Sequence, residues 1–226
     1  MPTPRHEVAL RMSELARTLA APSNATEILD GVTAAAAELI PGVDTAGIML
    51  LNPDGFESVA ATTDLPHQLD ELQMRFDEGP CRQAALDEIV VRTDDFRTEE
   101  RWPKYSPAVV EIGVLSGLSF KLYTGDRTAG ALNLFGFQPV DWDSDAETVG
   151  MVLAAHATAA IIAHQRDRQL HTALLSRDRI GQAKGIIMER YLVDDVRAFD
   201  MLRHLSQESN TKLTDIAQQV IDTRDG

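Results

Sequence analysis

The chain of 226 residues holds one cysteine, Cys81. That excludes an internal disulfide and a Cys-rich zinc site, and it favours a reducing, cytoplasmic home. No uninterrupted apolar run approaches the roughly 20 residues of a membrane span, so no membrane partner is expected. The opening MPTPRHEVALRMSELARTL has no continuous apolar core, which argues against a secretory signal. Catalytic signatures are missing: there is no G-x-S-x-G, H-E-x-x-H, P-loop or G-x-G-x-x-G, and the expectation is a non-enzyme. Cations are scarce as well. Lys and Arg number 21 against 35 Asp and Glu, a net charge of −14, which argues against unspecific binding of nucleic acid.

The cations that exist are unevenly placed. Residues 1–165 hold 11 Lys/Arg against 25 Asp/Glu, whereas residues 166–226 hold 10 of each. Within 166–193, six basic residues face three acidic ones. In the same region RDRIGQAKGIIMERY reads as a helix, with Ile180, Ala183, Ile187 and Tyr191 as an apolar stripe. Arg177, Lys184 and Met188 flank it on one side, Arg179 and Arg190 on the other. Gly181 and Gly185 each destabilise such a helix by about 1 kcal/mol relative to Ala. Their presence predicts a close approach by another backbone or by a ligand. An apolar seam with cations on both sides suits a small helical module that docks and binds an anion. A surface laced with ion pairs explains the same charges.

Residues 5–21 carry apolar positions at helical spacing (Val8, Met12, Leu15, Leu19), giving an N-terminal helix within 1–22. A helix from about Thr26 to Ile40 ends at Pro41-Gly42. AGIMLLNPDGFESVAAT reads as two strands around Asn-Pro-Asp-Gly. Helices are expected over Leu65–Phe76, Arg82–Asp87 and Glu99–Ile112, a short strand at Ile89–Val91, and a hairpin of Leu115–Thr124 with Thr128–Gly136. From Asp143 a long helical pattern runs without Pro towards Tyr191. Its ragged heptad spacing makes 145–176 a coiled-coil-like linker and a homodimer contact. Asp194 caps a helix holding Val196, Phe199, Leu202 and Leu205, and a last helix carries Leu213, Ile216, Ala217 and Val220. The fold class is α+β with an antiparallel sheet and flanking helices over 23–165, then the long helix and a three-helix all-α module over 166–226.

Few constellations suggest chemistry. His156, His164 and His171 are too far apart along one helix to share a metal, and no metal site is expected. Cys81 follows a loop and opens a helix, where a thiolate would be favoured. Phe96, Trp102, Tyr105 and Phe120 either line a ligand pocket with Cys81 or pack as core aromatics. Asp94, Asp95, Glu99 and Glu100 read as a solvated face, without the strand order of a phosphoacceptor domain.

The tail, RDRIGQAKGIIMERYLVDDVRAFDMLRHLSQESNTKLTDIAQQVID, resembles an ANTAR domain, an RNA-binding antiterminator module. The family's pattern is R-x-x-I-x-x-A-K-G-I-L-M, then A-F-x-x-L-R-x-x-S-x-x-x-N, then K-L-x-D-x-A. Arg177, Ile180, Ala183, Lys184, Gly185, Ile186, Ile187 and Met188 fill the first block. Ala198, Phe199, Leu202, Arg203, Ser206 and Asn210 fill the second, and Lys212, Leu213, Asp215 and Ala217 the third. Ile187 stands where Leu is usual. Residues 20–165 resemble a GAF domain of the kind fused to ANTAR in actinobacterial regulators, through DEGPCRQAAL, RTDDFRTEERWPKYSPAV and AGALNLFG. Phe76-Asp77-Glu78 are adjacent, unlike the spaced cyclic-nucleotide motif, and no bilin or haem attachment is implied.

The resemblance implies a GAF sensor controlling an RNA-binding antitermination regulator. Its RNA partner is a leader with two short hairpins and six-base loops, one ANTAR module on each, stabilised against an overlapping terminator. Loops present splayed bases, and Lys and Arg neutralise the phosphates beside them. Arg177, Arg179, Lys184, Arg190, Arg203 and Lys212 are the phosphate candidates. Gln182, Ser206, Gln207 and Asn210 are candidates for base edges and Tyr191 for stacking, although Ser206 and Asn210 also suit local turn bonding. Ala183, Gly185, Ile187, Phe199, Leu202, Leu213 and Ala217 are expected to pack. No cofactor is expected beyond a possible small-molecule GAF ligand, with Cys81, Phe96, Trp102, Tyr105 and Phe120 as its pocket. Rival readings make the tail a protein-interaction module or the GAF domain a redox or metabolite receptor, with DNA binding ranked below.

Overall fold

The computed structural model describes residues 25–223 except 53, 54, 87, 125 and 126, together with Leu10, Ser13 and Arg17. The expected N-terminal helix and the tips of both hairpins lie largely outside the described residues. The chain divides into two units, Met1–His164 and Gln165–Gly226.

In the first unit, β1 (Thr45–Asn52), β2 (Gly55–Ala61), β3 (Val90–Thr93), β4 (Ser116–Thr124) and β5 (Arg127–Gly136) form an antiparallel sheet of order β2-β1-β5-β4-β3. Side chains alternate across it as the two-residue period requires. Leu118, Phe120 and Leu122 of β4, with Leu132 and Leu134 of β5, face one side. Helix α1 (Ala25–Leu39) covers that side through Val32 and Ala36, and α5 (Ser144–Tyr191) through Leu153, Ala157, Ala160 and Ile161. Gly150 makes the approach of α5 possible, because a Cβ there would collide with the Phe120 ring.

The opposite side carries α2 (Leu65–Phe76), α3 (Pro80–Leu86) and α4 (Tyr105–Glu111). Leu69, Cys81, Ala84, Phe96, Tyr105 and Val109 pack there on Met49, Ala131 and Phe135. Helix α4 is shorter than the expected Glu99–Ile112, which a 3-10 turn (Phe96–Thr98) and an extended Glu99 precede. Pro103 favours an extended residue before it. The Glu78 carboxylate then supplies the helix start, accepting from the backbone N–H of Lys104 at 2.8 Å and of Tyr105 at 3.1 Å. That cap comes from a loop 26 residues away, and local spacing cannot reveal it.

Helix α5 holds a longer apolar stretch than its unbroken runs suggest, as the core helix of a folded domain also can. An 18-residue stretch of it has mean hydropathy 1.5, enough by length and composition to cross a membrane. Scattered Thr, His and Gly hid this from a search for unbroken apolar runs. Of that stretch 39% is buried, through the face that packs on the sheet.

The second unit joins the end of α5 to α6 (Asp195–Glu208) and α7 (Leu213–Asp222). Its core is thin: Ala183, Ile187, Ala198, Leu202, Ile216 and Ala217. Asp194 caps α6 as expected, accepting from the Arg197 N–H at 2.8 Å. Leu192 and Asn210, just past the ends of α5 and α6, both adopt left-handed backbone (φ 54° and 49°) and turn the chain back.

Candidate functional sites in the tail and the sheet unit

On α5, Arg177, Gly181 and Lys184 stand at i, i+4 and i+7 and share one face. With Ile180, Asp178 and Phe199 of α6 they line an open groove of about 690 Å³. Phe199 was expected to pack, yet it is 37% exposed and stands outside the tail's core. The Lys184 side chain is 22% exposed, and its ammonium lies 2.5 Å from a carboxylate oxygen of Asp195. Its charge therefore ties α5 to the first residue of α6 and still opens on the groove.

Neither Gly181 nor Gly185 is approached by a described residue. A Cβ on Gly181 or Gly185 would meet nothing within 4 Å, so the expected close approach is not made by any described residue. Gly185 is exposed rather than packed.

The remaining RNA candidates divide. Arg179, Gln182 and Arg190 are exposed, with Arg179 and Arg190 on the far flank, roughly 140–160° around the helix from Arg177. Tyr191 is also exposed and free to stack. Arg203 pairs with Asp200 at 3.3 Å, one turn away and solvent-facing. Ser206 is turned inward: its hydroxyl donates to the Thr211 carbonyl at 2.6 Å, the local role weighed for it. Gln207 is exposed while its carbonyl accepts the Asn210 N–H at 3.4 Å, and Lys212 is exposed ahead of α7. Ala183, Ile187, Leu202 and Ala217 are buried packing residues, as expected.

In the sheet unit the five pocket candidates are all buried, and they are not all together. Phe96, Trp102 and Tyr105 form a triangle with ring centroids 6.0–6.3 Å apart, and Cys81 belongs to the same core. Phe120 points through the sheet to the other side, where it lines a groove of about 220 Å³ with Ile89, Tyr123 and Met151. The period-two alternation of β4 separates it from the rest. The expectation of a favoured thiolate also fails. Burial pushes the Cys81 thiol up, the nearby Asp70 adds to the shift, and a buried thiol of that kind is inert.

Sequence reasoning missed a buried polar cluster beside the aromatic triangle. Ser58 donates to Asp70 Oδ2 at 2.7 Å, and the amides of Gln73 and Asn133 each lie 3.4 Å from Asp70 Oδ1. Ser119 donates to the Asn133 side chain at 2.8 Å, and Gln73 accepts the Cys81 N–H at 2.9 Å. Burial pushes the Asp70 carboxyl up to about 7, against the hydrogen bonds from Ser58 and Gln73. Tyr105, buried beside Asp70 and Cys81, is pushed well above the usual phenol range, and its hydroxyl has no hydrogen-bond partner among the described residues. Ser119 and Asn133 sit in L-S-F and L-N-L, where alternation reads as a solvated face; the helices covering that face bury them. Among the described residues no three His, Cys, Asp or Glu side chains gather as a metal site.

Comparison with known proteins accounts for both units. The GAF domain family matches residues 22–162 and the ANTAR domain family residues 168–221. No curated protein matches the chain. Similar solved structures include the GAF domain of a phosphoenolpyruvate-protein phosphotransferase from Coxiella burnetii, 19% identical with a TM-score of 0.59, covering 72% of this chain and 96% of that one. The corresponding GAF domain from Acinetobacter is 17% identical with a TM-score of 0.56, covering 73% and 97%. The phytochrome photosensory core module of Stigmatella aurantiaca is 12% identical with a TM-score of 0.60, covering 88% of this chain and 45% of that one. At such identities the likeness establishes the fold alone. The sheet unit has that fold, the tail carries the antitermination pattern, and the chain belongs to the GAF family as a GAF–ANTAR fusion, a regulator with a sensor domain ahead of an RNA-binding antitermination domain.

Proposed function

We propose that the protein binds a leader RNA of two short hairpins with six-base loops, one tail on each hairpin, and so favours read-through over an overlapping terminator. The observation that carries this reading is the cationic groove of Arg177 and Lys184, open beside the exposed Phe199 ring, inside the ANTAR match. Loop bases are unstacked and available to an aromatic ring, while Arg and Lys meet the phosphates. Arg179, Gln182, Arg190, Tyr191, Arg203, Gln207, Asn210 and Lys212 extend the contact over the exposed surface of the tail.

Two tails per leader call for a homodimer, joined through α5 and residues 1–22, which lie largely outside the described ones. A small molecule or other signal at the GAF domain alters the dimer and thereby the display of the tails. A coupling of about 1–3 kcal/mol gives a 5–150-fold effect on RNA affinity. The test is titration of the purified protein with the two-hairpin RNA and a loop-scrambled control at near-physiological salt. Loop-dependent binding that weakens in Arg177→Ala/Lys184→Ala is the expected result; equal binding of both RNAs would refute it.

A second reading, in which the tail docks a protein, is favoured by one observation. Leu205, Ile216 and Val220 line an apolar groove of about 280 Å³. RNA affinity unchanged by the double substitution would support that reading.

A further inference from the structure

Gly181 weakens its helix relative to Ala, and no contact with a described residue explains it. Its backbone is not left-handed, it lies in the middle of a helical stretch, and a Cβ there would meet nothing within 4 Å. The space it leaves belongs to the groove between α5 and α6. Three kinds of surface meet there: bare backbone at Gly181, the ring of Phe199, and the cations Arg177 and Lys184. Asp178 also lines the groove and Asp195 holds Lys184, so charge alone does not fill it. A flat π-surface carrying one adjacent negative charge fits all three.

We propose that this groove seats a single unstacked RNA base and its phosphate. Gly181 provides the room, Phe199 the stacking surface, and Arg177 and Lys184 the phosphate contacts. The inference rests on the reading of the tail as an RNA binder, and adds to it the seat of one loop base and the reason for glycine at 181.

The experiment titrates the full-length protein with the two-hairpin RNA, and with versions in which each loop base in turn is abasic. Gly181→Leu fills the groove, Gly181→Ala fills it partly, and Phe199→Leu removes the stacking surface. Gly181→Leu is expected to bind the intact RNA about five- to a hundred-fold more weakly, with a thermal midpoint unchanged or raised. Gly181→Ala should lose less. At one abasic position the losses in Gly181→Leu and Phe199→Leu should both vanish. Wild-type affinity in Gly181→Leu overturns the subsite while the RNA reading stands. Absence of loop-dependent binding in the wild type overturns both. Lost self-association in Gly181→Leu with RNA affinity intact assigns the groove to a second copy and overturns the proposal.

Discussion

Asp70 is a buried carboxyl whose hydrogen-bond partners, Ser58, Gln73 and Asn133, are all neutral. Without a cation beside it, desolvation wins and the group titrates near 7 in the folded protein, against 3.8 in the reference state. The carboxyl therefore takes up a proton on folding between these values. Stability from this group is greatest below pH about 4, falls by up to about 1.4 kcal/mol per pH unit as pH rises, and levels off above about 7. Thermal midpoints between pH 4 and 8 should show this fall in the wild type and a flatter profile in Asp70→Asn; equal slopes would count against it. At the other end of the chain, Asp195 competes with phosphate for Lys184. Asp195→Asn is expected to tighten binding of the two-hairpin RNA by about two- to five-fold, the range of an exposed ion pair. Weaker binding would instead make the pair a positioning device. Of these residues Lys184 was legible in the sequence, by its place on a cationic flank. Asp70 was not, because its burial depends on strands and helices remote from it in the chain.

At the scale of elements, helix ends carry the information that spacing lacks. The start of α6 was readable, since Asp194 is its own cap. The start of α4 was not, since its cap is Glu78 from another loop. The end of α5 is set by Leu192, a left-handed residue that is 91% exposed. A side chain there costs about 1–2 kcal/mol that glycine does not. Leu192→Gly should therefore raise the unfolding free energy of the tail by roughly 1 kcal/mol, measured by denaturant titration of tail helicity. A loss of similar size would mean that this leucine is covered in the assembled protein. The two strand pairs were legible from alternation and turn residues. Which side of β4 each aromatic or polar residue joined was not, since both sides of the sheet are covered.

On the scale of the molecule, residues 165–175 form helix exposed on every side, with Leu170 at 62% and Leu174 at 50% exposure. Most helix stability comes from packing of an apolar face, and no described residue packs on this one. A second copy packing along it would cover the leucines. Sedimentation should find a dimer, and Leu170→Glu/Leu174→Glu should shift it to monomer while the GAF unit keeps its fold. A wild-type monomer at micromolar concentration would remove the dimer from the mechanism. The charge division reads the same way at this scale: the acidic excess of the chain lies in residues 1–165, and the tail is electrically balanced and free to meet an anion.

By itself the sequence determined the two-part organisation, the elements with a strong period, and the local cluster of cations within 166–193, because hydrophobic period, local caps and charge counts act over a few neighbouring residues. Tertiary structure decided which buried groups meet. It placed Phe120 across the sheet from Tyr105, closed neutral partners around Asp70, tied Lys184 to Asp195 and left Gly181 open beside Phe199. Most of these contacts join different elements of the fold, set by which faces the helices cover, and no local pattern encodes them.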